Sequence, residues 1–228
     1  MRLFTKLLCV GALVCLPAWA QAPQEPKTKP APTVKEVAER VDKHYNALSS
    51  LQTDFVETYR GGGISRNESG VMYLKKPGKM RWDYQIPQKK VFLTDGKTAW
   101  FYVPGERQAR RTAMKEIDDF RSPLRYLLGH TKLQKEFKDL AMVNDPNAAP
   151  GDVVLSGIPK GMEDRVQTTW LEIAPNGSIM RIVIEELDGA VTEFRFQHPQ
   201  ENVKLSDASF KFTPPPGVEV MEAAELEP

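Results

Sequence analysis

LKKPGKMRWDYQIP, Leu74–Pro87, begins to alternate once past its Pro-Gly pair. Met80, Trp82, Tyr84 and Ile86 fall on one side of a period of two; Arg81, Asp83 and Gln85 fall on the other. That spacing predicts a β-strand with one aromatic face. Ahead of it, Lys76-Pro77-Gly78-Lys79 predicts a type II turn, with Pro at i+1 and Gly at i+2.

The flanking sequence extends this into a meander. VFLTDGKTAWFYV, Val91–Val103, reads as a hairpin with Asp95-Gly96 as a two-residue turn. Phe92 then shares a face with Ala99 and Phe101, while Leu93, Trp100 and Tyr102 take the other. A hairpin apolar on both sides needs cover on both. Further on, Val166–Ala174, Ile179–Leu187 and Val191–Phe196 are strands separated by Pro175-Asn176-Gly177 and Asp188-Gly189. Gly61-Gly62-Gly63 has no following Lys or helix, so it reads as a hairpin loop and not a phosphate cradle.

Helical spacing occurs in three places. Thr33-x-x-Glu36 is a capping box ahead of an apolar stripe, Val34, Val37, Val41, Tyr45 and Leu48. Ser122-Pro123 starts a short helix with a Leu124, Leu127 and Leu128 patch, stopped by Gly129. Lys132–Leu140 predicts another, followed by a loop at Asn144–Asp152.

The N-terminus has a different character. Arg2 and Lys6 precede an apolar run, Leu7–Leu16, and an Ala18-Trp19-Ala20 cleavage pattern. Residues 1–20 therefore read as a secretory signal peptide, and 21–32 as a Pro-rich flexible lead. Cys9 and Cys15 both lie in the signal, so the mature chain is expected to carry neither a disulfide nor a lipid anchor. Lys and Arg total 31 and Asp and Glu 30, a near balance that says little about partners, and no basic stripe marks a nucleic-acid binder. His44, His130 and His198 are widely separated, which predicts no metal site and no metal cofactor. No nucleophile–base motif stands out, and Glu185 and Glu186 point to opposite faces of a strand, so they cannot converge on one bond. The expectation is a protein that is not an enzyme.

GVMYLKKPGKMRWDYQIP (Gly70–Pro87), VFLTDGKTAWFYVPGERQ (Val91–Gln108), SPLRYLLG (Ser122–Gly129) and FKFTPPPGVEV (Phe210–Val220) occur in that order. Together they closely resemble the outer-membrane lipoprotein carrier family, LolA. The resemblance implies an incomplete, strongly curved antiparallel β-barrel, closed by helices over a hydrophobic cavity. It implies one carrier domain over 33–220, with 221–228 as a tail. The implied function is periplasmic: taking acylated lipoproteins from an inner-membrane ABC-type exporter and passing them to an outer-membrane acceptor lipoprotein, as a monomer and without a cofactor. A lipid- or lipoprotein-sensing regulatory domain of the same fold is the alternative.

By position, the resemblance assigns Val71, Tyr73, Met80, Trp82, Tyr84, Phe92 and Phe101 to the cavity lining, and Leu124, Leu127 and Leu128 to a lid. Lys76 stands where the family typically has an Arg that bonds the lid backbone. Lysine is a flexible point donor without the guanidinium fork. Lid latching is therefore expected to be weaker, or to draw on Arg81.

Overall fold

The computed structural model describes residues 31–113, 127, 132–223 and 226. The expected signal peptide and most of the lead lie outside the described residues, as do Leu124 and Leu128. From Pro32 onward the chain forms one compact unit.

Thr33 caps helix α1 (Val34–Ala47) as its sequence predicts. The Glu36 N–H donates to the Thr33 hydroxyl at 3.2 Å, and the Thr33 N–H donates back to the Glu36 carboxylate at 2.7 Å. Satisfying these otherwise unpaired donors fixes where the helix starts. Its apolar stripe buries Val37, Ala38, Val41 and Tyr45 in the core.

The other major element is one 12-stranded sheet. Its strands are β1 (Ser50–Gly61), β2 (Ile64–Lys75), β3 (Lys79–Ile86), β4 (Lys90–Thr94), β5 (Thr98–Tyr102), β6 (Gln108–Ala113), β7 (Phe137–Val143), β8 (Val153–Pro159), β9 (Val166–Ile173), β10 (Ile179–Glu186), β11 (Val191–Glu201) and β12 (Glu219–Glu222). Their spatial order is β12-β6-β5-β4-β3-β2-β1-β11-β10-β9-β8-β7, which makes β12 and β7 the edges of an open sheet. Neighbours pair antiparallel, except that β12 runs parallel to β6. The sheet is thus mixed at one edge and not wholly antiparallel as expected.

Two boundaries differ from the sequence reading. The helix expected over Lys132–Leu140 is only one turn, α2 (Leu133–Glu136), and β7 starts at Phe137. A register shift between Lys138 and Ala141, with Asp139 at φ 50°, breaks the period of two there and disguises the strand. The tail expected from residue 221 is partly structural: Met221 and Glu222 belong to β12, and Leu226 is fully buried in the core.

One face of the sheet carries the core; we call it the inner face. The outer face of β1–β6 is crossed by the chain between β11 and β12. Ser50 Oγ donates to the Val203 carbonyl at 2.6 Å, and Lys75 Nζ to that of Leu205 at 2.6 Å. Lys75 and Lys79 both pair with Asp207, and Arg81 donates to the Ser209 carbonyl at 2.9 Å. Phe210 is fully buried, and Phe212 packs on Trp100 and Tyr102 at 5.1 and 5.4 Å. This C-terminal strap is the second cover that the two-sided β4–β5 hairpin demands.

Candidate functional site

The inner face of β3 consists of Met80, Trp82 and Tyr84, at most 7% exposed. Cross-strand register builds outward from them. Trp82 lies between Met72 on β2 and Phe92 on β4, and Phe92 lies opposite Phe101 on β5. Phe55 on β1 meets the rings of Trp82 and Tyr84 edge-on at 4.6 and 4.9 Å. Phe194 and Phe196 on β11 approach Trp82 at 5.7 and 6.3 Å. Trp82 is therefore the centre of a continuous aromatic floor that α1 helps to cover. Gly70 permits the fit beside Tyr84: a Cβ there would sit 2.0 Å from the Asp83 carbonyl oxygen.

The floor brings together five of the seven residues assigned to the lining. Val71 and Tyr73 are not among them. They pair with Asp83 and Arg81 on the outer face, and Met72 and Leu74 take the inner positions. The reason is the β2–β3 connection. A two-residue turn would set Tyr73 opposite Trp82, but the connection is three residues, Lys76-Pro77-Gly78, with Lys75 opposite Lys79. An odd-length loop inverts every side chain on β2 relative to that expectation. The β4–β5 loop is also longer than expected, with Thr94 opposite Ala99, but an added pair of residues preserves the face of Phe92.

At one end of the floor, Lys76 Nζ donates to the carbonyls of Tyr45 and Asn46, the latter at 3.2 Å. These are last-turn carbonyls of α1, at the end of the helix that favours a cation; the Tyr45 carbonyl also accepts from the Leu48 N–H at 3.3 Å. The described partner of Lys76 is thus α1; most of the Ser122–Gly129 segment lies outside the described residues. Burial lowers the Lys76 pKa from its ordinary value. The Tyr45 hydroxyl accepts from the Ile179 N–H at 3.0 Å, so the end of α1 is tied to both halves of the sheet. Leu127 is buried here and, with Leu48, Leu51, Leu74 and Lys76, lines a small pocket.

The other end is polar. The Tyr84 hydroxyl donates to Glu57 at 2.7 Å, and Lys90 Nζ to Glu68 at 2.8 Å while lying 4.2 Å from the Tyr84 ring centroid. Glu57, Glu68 and Lys90 are each less than a tenth exposed. Burial pushes the Glu57 carboxyl above its usual range, opposed by the Tyr84 bond and Lys90. Burial, then the Glu57 charge, pushes the Tyr84 phenol well up. Sequence reasoning missed this cluster, although a signal existed: Glu57 lies two residues from Phe55 and Lys90 two from Phe92, both at inward parity. Among the described residues, no group of His, Cys, Asp and Glu is placed to hold a metal ion.

A mainly β protein with an aromatic, helix-covered sheet face is the class that these features define. Residues 46–213 match the family model for the outer membrane lipoprotein carrier protein LolA, and the chain belongs to that family. A relative from Nitrosomonas europaea, an outer-membrane lipoprotein carrier protein, is 25% identical over 84% of this chain and 92% of its own. One of the same description from Dechloromonas aromatica is 29% identical over 79% and 86%. Among solved structures, a conserved protein from Thermus thermophilus superposes with a TM-score of 0.54 at 14% identity, covering 82% of this chain and 98% of that one. That likeness concerns the fold alone. No helix among the described residues is long and apolar enough to cross a membrane.

Proposed function

We propose that this protein is a periplasmic carrier that takes acylated lipoproteins released from the inner membrane and delivers them to the outer membrane. The observation that carries this reading is the aromatic floor around Trp82, continuous across six adjacent strands from β11 to β5 and covered by a helix held at its last turn. In the proposed cycle the sheet forms an incomplete barrel, and α1 closes it. Cargo enters when that cover lifts, and Lys76 opposes lifting. An ABC-type exporter supplies the cargo and an outer-membrane acceptor receives it.

Burial magnitudes support a shallow grip. Burying a methylene contributes about 0.8 kcal/mol. About ten of them give roughly 8 kcal/mol gross, a micromolar affinity if nothing opposes it. Deeper burial of several chains would resist hand-over. A favoured closed, empty state subtracts from that affinity and shields apolar surface from aggregation.

The test is to mix the mature protein with a triacylated lipoprotein and run size exclusion without detergent. A soluble stoichiometric complex is expected. Cargo found only in aggregates would sink the reading.

A further inference from the structure

The inner-face register on β1 and β2 orders the floor into rows. Leu51 lies opposite Leu74, Thr53 opposite Met72, Phe55 opposite Gly70, and Glu57 opposite Glu68. The first row adjoins the pocket beside Lys76 and Leu127. The last holds the buried polar cluster, which Lys90 and the Tyr84 hydroxyl complete from β4 and β3. From first to last row is six residues of strand, about 20 Å. That is the reach of a long-chain acyl group lying along the floor. Past the cluster these two strands leave the core: Tyr59 pairs with Arg66, whose guanidinium lies 4.9 Å from the Tyr59 ring centroid, and Gly62–Asn67, Ile64 included, is exposed.

We propose that Glu57, Tyr84, Glu68 and Lys90 form a polar threshold that ends the acyl-binding floor and thereby sets the longest acyl chain the carrier accommodates fully. This rests on the carrier reading above. An alkyl chain offers these groups no hydrogen bond. Each is already satisfied by another member of the cluster, and moving past would leave desolvated donors and acceptors unpaired, a cost that further methylene burial does not offset. Tyr84 marks the boundary: its ring belongs to the aromatic floor and its hydroxyl to the threshold. The raised Glu57 carboxyl agrees with a site poor in water.

The experiment measures affinities of the mature protein for diacylglyceryl-cysteine peptides carrying lauroyl, palmitoyl, stearoyl or arachidoyl chains. The native protein should bind more tightly from lauroyl to palmitoyl, then level off or weaken. The variant Glu57→Leu/Glu68→Leu/Tyr84→Phe/Lys90→Met removes both partners of both bonds, so no buried group is orphaned and the fold should persist. In it, arachidoyl peptide should bind at least about tenfold more tightly than palmitoyl, since added methylenes gain apolar contact. Glu57→Gln, which keeps the site polar, should retain the native cut-off. A native protein that binds none of the peptides overturns the carrier reading and this proposal with it. Binding with the same chain-length profile in native protein and fourfold variant overturns the threshold alone.

Discussion

Strands β4 and β5 are apolar on both faces, and the two faces are covered in different ways. On the inner face, Trp82, Phe92 and Phe101 lie in a floor whose helical cover, α1, is held at its last turn by Lys76. On the outer face, Leu93, Trp100 and Tyr102 lie under a strap secured along its length by Lys75, Lys79 and Arg81 and ending in β12. One cover, the helix, is tied along its C-terminal half: Arg40 donates to the Pro175 carbonyl, Asp42 accepts from the Leu133 N–H, His44 meets Ser178, and Tyr45 accepts from the Ile179 N–H. The other is bonded strand after strand. The two covers differ in kind: a helix tied to its surroundings by side chains, and a strap whose end joins the sheet itself as β12.

The largest effects should come from paired truncations on the two faces. Trp82→Ala and Phe210→Ala should each cost about 3–5 kcal/mol, since both remove a large buried ring. Chemical denaturation measures that cost, and cargo capture by the folded fraction should separate the two. Capture should fall with Trp82→Ala and persist with Phe210→Ala; equal loss in both would erase the distinction between faces.

Lys76→Leu probes the hold on α1. Losing one or two hydrogen bonds should weaken the closed form by about 1–2 kcal/mol. The variant should load cargo normally but retain it when offered liposomes bearing an acceptor. Lys76→Arg should transfer at least as well as the native protein, because a guanidinium keeps donors at the helix end. Release by Lys76→Leu as fast as native would reduce Lys76 to a turn residue.

Glu57 gives a smaller, pH-dependent effect. Its carboxyl is raised in the folded state, so the fold holds that proton to higher pH than the unfolded chain does. Its contribution to stability is therefore fully present below the ordinary carboxylate value and is lost as pH rises through the raised one. Stability curves from acid to neutral pH should show this loss in the native protein and not in Glu57→Gln. Parallel curves would count against it. The least effect is expected from Arg81→Gln on the outer face: about 1 kcal/mol or less, with cargo capture unchanged. Impaired capture would mean that the strap communicates with the floor.

Much of this arrangement was legible in the residues. Alternation along Met80–Tyr84 marked the floor, Thr33 and Glu36 marked the start of α1, and the two-sided pattern of Val91–Val103 called for a second cover. What escaped was geometry that period alone does not encode. Lys76-Pro77-Gly78 makes a connection one residue longer than the type II turn its residues suit, which moved Val71 and Tyr73 off the inner face. The irregularity between Lys138 and Ala141 hid β7 within a helical pattern. Glu57 and Lys90 were legible by parity, but charged residues are rarely buried without partners, and their partners come from other strands. The pairing of β12 with β6 joins segments 111 residues apart, a contact that local pattern does not reveal.

The strap also imposes an order in time. Lys75 meets Leu205 across 130 residues of chain, Arg81 meets Ser209 across 128, and β12 comes at the end of the sequence. Such non-local contacts form slowly. Until the C-terminal segment has emerged and docked, Leu93, Trp100 and Tyr102 have no cover on their side of the sheet. A chain threaded into its compartment N-terminus first would therefore pass through an interval with its outer apolar face open, when it is most prone to aggregate. The protein would begin its life needing the shelter that the proposed function has it give to others.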